Sequence, residues 1–332
     1  MKSLIQKLVE AVGPSGYETQ VRELVMEEVK DYVDSWKVDP LGNLITRKSK
    51  KGKDGLTIML AAHLDEIGLM VTHVDDNGYA RFTQLGFLFP INVTAGRVQF
   101  LNGPKGVIGL DASNDSIYKT DGLNKMFIDL GVDNKADCPV GIGDVAAMMR
   151  RFEDFGDRLV SKSMDDRIGV AVLIETLKQL KNTPHEVVGV FTVQEEVGTR
   201  GATPAAYDVD PDIAIAIDVC PTGDTPKSKT NQIKLGNGPA IKIRDAGMLA
   251  DPAVIAWMEA GAKQAKLPSQ REILLRGSTD ARAMQLVRGG VPAGCVSIPC
   301  RYVHSPSEMV DYNDVQNAVK LLVHLLSKPV KL

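Results

Sequence analysis

Histidine and carboxylate side chains lie at the ends of several apolar runs of this 332-residue chain. They are His63 and Asp65 after TIMLAA, Asp165 and Asp166 before RIGVAVLIETL, Glu195 and Glu196 after VVGVFTVQ, Asp218 after IAIAI, and His304 after CVSIPCRYV. Because ligands of open α/β sheets bind beyond the carboxyl ends of the strands, we expect these side chains to meet at one edge. Imidazole nitrogens and carboxylate oxygens together form a ligand set for zinc, cobalt or manganese.

Each of these residues alone has a simpler structural explanation. Asp165 could be a helix N-cap, Asp218 could cap a turn, and His63 could be a hydrogen-bonded core histidine. Together, so many carboxylates at one sheet edge would be very unfavourable through desolvation and mutual repulsion unless a cation held them. The pattern therefore predicts a metal hydrolase. The remaining histidines lack the pattern and are predicted to be structural: His73, His185 and His324.

Two adjacent glutamates in TVQEEVGTRGA need separate roles. Neighbouring side chains on an extended chain point in opposite directions, so Glu195 and Glu196 at a strand end should not do the same job. One can bind a metal while the other takes a proton from a metal-bound water, as metal-assisted hydrolysis requires.

Apolar strands alternate with helical stripes at both ends of the chain, which predicts an α/β sheet. A helical pattern over residues 4–33 is interrupted by the turn AVGPSGYE, and LTIMLAAHLDEIGLMVTHV should hold one or two strands. Between LTIMLAAHLDEIGLMVTHV and the second α/β part, short β-rich segments are separated by turn residues. We therefore predict one α/β domain made of residues 1–68 and 163–332, with a β-rich unit of residues 69–162 inserted into it.

The composition excludes some partners. A net charge of -3, with 24% charged and 44% hydrophobic residues, gives no reason to expect nucleic acid. Apolar runs fall short of the roughly 20 residues that a spanning helix needs, so no membrane contact is expected. With no signal-peptide pattern at the start, we expect a cytoplasmic protein. The four cysteines have irregular spacing and are predicted to be reduced thiols: Cys138, Cys220, Cys295 and Cys300.

Nine segments together resemble the M42 metallo-aminopeptidases, which include the TET-like and the glutamyl or leucyl aminopeptidases. They are AVGPSGYE, VDPLGNL, AAHLDEIG, SKSMDDRIGV, TVQEEVGTRGA, AIDVCPTGDTP, LGNGPAIKIRD, RGSTDARAMQL and SIPCRYVHSPSEMV, spread over essentially the whole chain. The resemblance implies a mixed sheet flanked by helices, of the dinuclear zinc peptidase type, with an inserted small β-barrel-like domain used for subunit contact. It also implies a homo-oligomer, a dodecamer built from dimers.

The resemblance implies two divalent metal ions per subunit, zinc or cobalt. The ligands it implies are His63 and Asp218 for one metal, Glu196 and His304 for the other, and Asp165 as a bridge between them. Glu195 then matches the general base, and Asp65 matches the acid that orients His63. The implied reaction removes N-terminal residues from peptides with a free N-terminus, by attack of a water bound to both metals.

Two segments depart from the family pattern. QLGFLFPINVTAGRVQF lacks the second glycine and the tryptophan usual after its first glycine, and RGSTDA has Ser278 where glycine is commoner. Since the first lies in the inserted unit, we expect it to affect assembly more than chemistry.

The sequence also suggests three alternative functions. One is a deacylase or carboxypeptidase on the same metal scaffold, and another is a scaffold protein that has lost activity. Retention of all five implied ligands and of Glu195 argues against the inactive scaffold. The third, a glycosidase using two carboxylates, would leave the clustered histidines unexplained.

Overall fold

The computed structural model describes residues 1–111, 122–228 and 231–330. Its α-helices are α1 (Lys2–Glu10), α2 (Thr19–Val29), α3 (Pro90–Val93), α4 (Met164–Gln179), α5 (Ala202–Val209), α6 (Pro252–Gln264), α7 (Asp280–Gln285) and α8 (Tyr312–Leu326). Its strands are β1 (Ser35–Val38), β2 (Leu44–Lys48), β3 (Thr57–His63), β4 (Gly68–Val74), β5 (Ala80–Leu85), β6 (Arg97–Phe100), β7 (Lys105–Leu110), β8 (Met126–Asp129), β9 (Val145–Met148), β10 (Glu153–Asp154), β11 (Arg158–Ser161), β12 (Glu186–Thr192), β13 (Ile213–Pro221), β14 (Ala240–Arg244), β15 (Gln270–Ile273), β16 (Ala293–Arg301) and β17 (Glu308–Asp311).

The larger sheet is mixed. Its strands follow the order β1-β2-β12-β3-β13-β16-β17-β11-β10, with β14 pairing to β16 and β15 to β14. The four central strands β12, β3, β13 and β16 run parallel to one another. Strands β2 and β17 flank them in antiparallel orientation. The predicted mixed sheet is therefore confirmed, and four parallel strands end at the same edge.

Helices cover both faces of this sheet, which explains why its strands read as continuous apolar runs. On β3, Ile58 and Leu60 pack with α1, α2, α4, α6 and α8, whereas Met59 and Ala61 pack with α5 and α7. The alternation follows from the two-residue repeat of a strand. The central strands are thus buried on both sides and hold their ends in fixed positions.

The helical pattern at the start of the chain is confirmed as two helices, α1 and α2, separated by the predicted turn. The first helix begins at Lys2, inside the range expected for a boundary read from sequence. The run LTIMLAAHLDEIGLMVTHV forms two strands, β3 and β4, which belong to different sheets.

The second sheet is a closed barrel in the order β4-β5-β8-β7-β6-β9, with its own apolar core. This confirms the small inserted β-barrel. The next two strands, β10 and β11, pair with each other and with β17 of the larger sheet. The range 69–162 therefore contains two strands that the larger sheet recruits, because β11 completes the antiparallel edge beside β17. The division of the chain into domains at these residues stays a prediction.

Among the described residues, no helix is both long enough and apolar enough to cross a membrane. The four cysteines are free thiols, and three of them are buried.

Candidate metal centre

The carboxyl ends of the parallel strands bring the predicted site residues together. His63 is the last residue of β3, and Asp218 lies inside β13 rather than after it. Glu196 follows β12 and His304 follows β16, each a few residues beyond the strand end. Asp165 reaches the same place from the start of α4.

Asp165 lies between two histidines. Its Oδ1 is 3.0 Å from Nε2 of His63, and its Oδ2 is 3.4 Å from Nε2 of His304. His304 Nε2 is also 3.4 Å from Oε2 of Glu196. Ligand atoms of His63, Asp165 and Glu196 all lie within 4.8 Å of one another, close enough to bind one cation.

A second group of possible ligands shares His63. It adds Asp166 and Asp218, again with ligand atoms within 4.8 Å of one another. Asp166 also accepts hydrogen bonds from the backbone N–H groups of Gly169 (3.1 Å) and His63 (3.3 Å). Asp166 is therefore the residue that caps the helix, a role considered above for Asp165. The side chain of Asp165 faces the two histidines instead.

Glu195 and Glu196 lie in a turn, not on an extended strand. Strand β12 ends at Thr192, and Gln194 has a left-handed backbone with φ of 56°. Both glutamate side chains consequently point into the cluster. Oε2 of Glu195 is 4.0 Å from Nε2 of His63, on a side chain that is 11% exposed. The strand-end position predicted for them is wrong, because β12 ends at Thr192 and the chain turns at Gln194. Separate roles for the two glutamates stay a prediction.

Asp65 fixes this turn. Its two carboxylate oxygens accept the backbone N–H groups of Glu195 (2.9 Å) and Glu196 (3.1 Å), and Oδ2 also accepts from Ser15 Oγ (2.6 Å). The Nδ1 atom of His63 is 3.1 Å from the carbonyl oxygen of Asp65 and 3.5 Å from its Oδ1. Asp65 therefore holds two parts of the cluster in place at once.

The cluster contains more negative groups than the chain itself can balance. Burial raises the pKa of Glu195 and Asp218 well above the ordinary carboxyl value, and nearby carboxylates add to the effect for Asp218. Burial likewise raises the pKa of Glu196 to about 8. For Asp165, burial acts in the same direction, but hydrogen bonds with His304 and His63 outweigh it and lower the pKa.

These side chains fit divalent cations. Nitrogen and oxygen donors are buried together, and Glu196 Oε1 is a buried oxygen without a hydrogen-bond partner among the described residues. A cation would balance the charge and engage that oxygen, since buried carboxylates are otherwise paired.

Two functional candidates escape the sequence reasoning. Glu308 is 1% exposed and accepts the backbone N–H groups of Asp165 and His304. Asp280, 3% exposed, accepts from Thr192 Oγ1, and its Oδ1 has no partner among the described residues. Glu308 lies in SIPCRYVHSPSEMV and Asp280 in RGSTDARAMQL, two of the segments that resemble the M42 family. Neither residue directly follows an apolar run, so a search for polar residues at strand ends does not identify them.

The first departure from the family pattern borders the site. Gly86 has φ of 80°, and a Cβ there would lie 3.1 Å from Cβ and Oε2 of Glu196. The ring centroid of Phe87 is 6.3 Å from that of His304. The barrel therefore supplies part of the wall around the cluster, whereas the sequence predicts an effect mainly on assembly. Ser278, the second departure, donates to Asp245 Oδ1 at 3.0 Å.

The other three histidines lie away from the cluster. His73 is on β4 opposite Arg81, and His324 is in α8. His185 Nδ1 accepts the backbone N–H of Leu56 at 3.0 Å, and its Nε2 is 2.9 Å from the carbonyl oxygen of Lys328. These contacts are those of structural residues.

A second buried charged group adjoins the metal cluster. Glu66 Oε2 accepts from Lys162 Nζ at 2.6 Å and from Ser163 Oγ, and its Oε1 is 3.6 Å from Nη2 of Arg167. All three charged side chains are at most 3% exposed. Burial alone would raise the pKa of Glu66, but the charges of Lys162 and Arg167 outweigh it and lower the pKa. This group, the Glu66 ion cluster, is neutralised by its own cations.

The comparisons with known proteins agree with the fold. The sequence profile of the M42 glutamyl aminopeptidases matches residues 42–321. A putative aminopeptidase of Acetivibrio thermocellus is 45% identical over 328 residues, which cover 98% of each chain. An aminopeptidase from the archaeon Desulfurococcus kamchatkensis has a TM-score of 0.94 at 37% identity, covering 99% of this chain and 94% of that one. The TET1 peptidase of Pyrococcus horikoshii, which can assemble into a tetrahedron or a large octahedral shell, has a TM-score of 0.87 at 31% identity, covering 98% of each chain.

The fold and these relatives define a peptide hydrolase that acts as an exopeptidase, an aminopeptidase. The chain belongs to the M42 glutamyl aminopeptidase family, as the resemblance in its sequence indicates. Peptidases of this family are metal-dependent, and the buried histidine and carboxylate groups are candidate ligands in this chain.

Proposed function

We propose that this aminopeptidase uses two divalent cations, zinc or cobalt, to remove N-terminal residues from peptides that carry a free α-amino group. The observation that carries the proposal is the position of Asp165, whose two carboxylate oxygens face different histidines. A carboxylate placed in this way can bridge two cations. His63 and Asp218 would complete one cation site, and Glu196 and His304 the other.

Bound divalent cations would polarise the carbonyl of the scissile peptide bond and make a water molecule more acidic. Glu195 is the residue proposed to take the proton from the attacking water and pass it to the leaving amine. Its Oε2 is 4.0 Å from Nε2 of His63, which places the carboxylate beside the proposed ligands. Asp65 holds the Glu195 backbone, so that the base keeps its position while the proton moves.

A free α-amino group distinguishes the proposed substrates from acylated ones. We propose that this amine binds near the cations, which an acylated amine, without a basic lone pair, could not do. Cleavage would then be limited to the first peptide bond. A peptide bound through an internal residue would have no free α-amino group at this position.

The decisive experiment uses aminoacyl p-nitroanilides of Leu, Glu, Lys and Ala, each with a free and an N-acetylated amine. The protein is stripped with a chelator and then reloaded with zinc or cobalt. We expect metal-dependent cleavage of the free-amine members only. Cleavage of acetylated members would favour a deacylase, and no cleavage with either metal would contradict the proposed function.

We also propose that the chain forms a large homo-oligomer, a dodecamer built from dimers, with the barrel region of residues 69–162 taking part in subunit contact. The assembly described for the Pyrococcus horikoshii TET1 peptidase supports this proposal. Light scattering coupled to size exclusion tests it, and a monomer at micromolar concentration would contradict it.

A further inference from the structure

Glu308 lies between two segments that carry proposed metal ligands. Its Oε2 accepts the backbone N–H of Asp165 at 2.9 Å, and its Oε1 accepts the backbone N–H of His304 at 2.8 Å. The residue opens β17 and pairs with Ser161, which ends β11. One side chain therefore links the segment after β11 to the segment after β16.

The backbone of these segments needs such support. His304 has φ of 60° and Tyr302 has φ of 61°, in the left-handed region that side-chain-bearing residues seldom adopt. Ser163, two residues before Asp165, has φ of 58°. Because such conformations persist only where their surroundings fix them, the hydrogen bonds to Glu308 help to define where both ligands stand.

The chain contains another carboxylate with the same arrangement. Asp314 is fully buried, and its two oxygens accept the backbone N–H groups of Gly236 and Gly238, both at 2.7 Å. That pair of hydrogen bonds holds a loop that carries none of the proposed ligands. Asp314 is therefore a control for the structural part of what Glu308 does.

We infer that Glu308 is a positioning residue for the metal centre: it holds the backbone of Asp165 and of His304 in place before any cation binds. The inference rests on the proposed function only in taking Asp165 and His304 as ligands. Backbone hydrogen bonds that set the spacing of ligands act like outer-shell partners of a metal site, whose loss costs about 10–100-fold in metal affinity or activity.

The test compares Glu308→Gln with Asp314→Asn in the full-length protein. Each amide keeps the size of the side chain and one acceptor oxygen, and each should lower the temperature of unfolding of the metal-free protein. Competition with a chelator gives the cobalt affinity, and the visible absorption spectrum of bound Co²⁺ reports the ligand geometry. We expect Glu308→Gln to weaken cobalt binding about 10–100-fold and to change the spectrum. Asp314→Asn should keep the wild-type affinity and spectrum.

Wild-type cobalt affinity and spectrum in Glu308→Gln would overturn the inference, and so would equal losses in both variants. Hydrogen exchange in the metal-free wild-type protein provides a test that needs no variant. The amides of Asp165 and His304 should be protected without metal, and their free exchange would overturn the inference even if Glu308→Gln fails to fold. None of these readouts needs a substrate. A protein that binds cobalt but cleaves no peptide would therefore contradict the proposed function and leave this test intact.

Discussion

Two buried charged clusters lie side by side in this protein and are balanced in opposite ways. In the Glu66 ion cluster, Lys162 and Arg167 supply the positive charge, and the pKa of Glu66 is lowered. In the metal cluster, carboxylates outnumber histidines, and burial raises the pKa of Glu195, Glu196 and Asp218. The chain thus supplies the cations that neutralise Glu66, whereas the metal cluster has room for the cations proposed above.

The largest expected effect is on catalysis, to which the metal cluster should contribute and the Glu66 ion cluster should not. Replacing Glu195 with Gln should lower kcat/KM about 10²–10⁴-fold, because a positioned general base contributes that much. Metal content and unfolding temperature should stay near the wild-type values. Steady-state kinetics together with elemental analysis measures both, with the exposed Glu27→Gln as a control. Near-wild-type turnover in Glu195→Gln would rule out this base.

Removing one charge from each cluster should change stability with opposite sign. Lys162→Met leaves Arg167, at 3.6 Å, as the cationic partner of Glu66, and the free energy of unfolding should fall by about 3 kcal/mol. Asp218→Asn in the metal-free protein removes a carboxyl group whose ionisation is opposed by burial and by Asp165, so the free energy of unfolding should rise.

Urea titration of both variants measures these changes. Lys178→Met serves as the control, because it breaks a partly exposed pair with Glu28 and should cost at most about 1 kcal/mol. A loss in Asp218→Asn as large as that in Lys162→Met would mean that the two clusters do not differ in the way described.

A cation bound in the metal cluster should stabilise the folded protein. Zinc at about 100 times its dissociation constant should raise the free energy of unfolding by about 2.7 kcal/mol. Asp165→Asn should lose most of this gain, since the residue faces both histidines. Urea titrations of chelator-treated protein with and without zinc provide the measurement. An undiminished gain in the variant would exclude the bridging role.

The smallest effect concerns pH. The folded-state pKa of Glu66 lies below its ordinary value of 4.5, so its contribution is complete above that pH and is lost as the pH falls through the folded value. The free energy of unfolding of the wild type should therefore fall more steeply below about pH 5 than that of Glu66→Gln, by at most about 1.4 kcal/mol per pH unit. Equal slopes would show that Glu66 is not held ionised by its cations.

Much of the fold could be predicted because hydrophobic periodicity reports burial directly. The runs TIMLAA and IAIAI are apolar on both faces, and they became β3 and β13 at the centre of the sheet. The convergence of His63 and Asp218 follows from the parallel direction of these strands. The short strands β1 and β17 were not predicted, because they depend on pairing with distant partners that no local pattern reveals.

The backbone conformation around the site could not be predicted from the sequence. The pair Glu195 and Glu196 does not indicate that the chain turns at Gln194, or that Asp65 accepts hydrogen bonds from both of their backbone N–H groups. Glu308 was overlooked because its partners are backbone N–H groups, which every residue has. The segment QLGFLFPINVTAGRVQF is expected from the sequence to affect assembly, because the closeness of its Gly86 to Glu196 depends on how the barrel packs against the sheet.

The order of strands in the larger sheet also has a consequence for biosynthesis. Strand β11 joins the described part of the sheet through β17 and β16, which a ribosome adds long after β3, β12 and β13. A nascent chain that stops before β16 has His63, Asp165 and Glu196 but neither His304 nor Glu308. If His304 is a ligand as proposed, such a chain cannot complete the metal centre, and we expect aminopeptidase activity to appear late in translation.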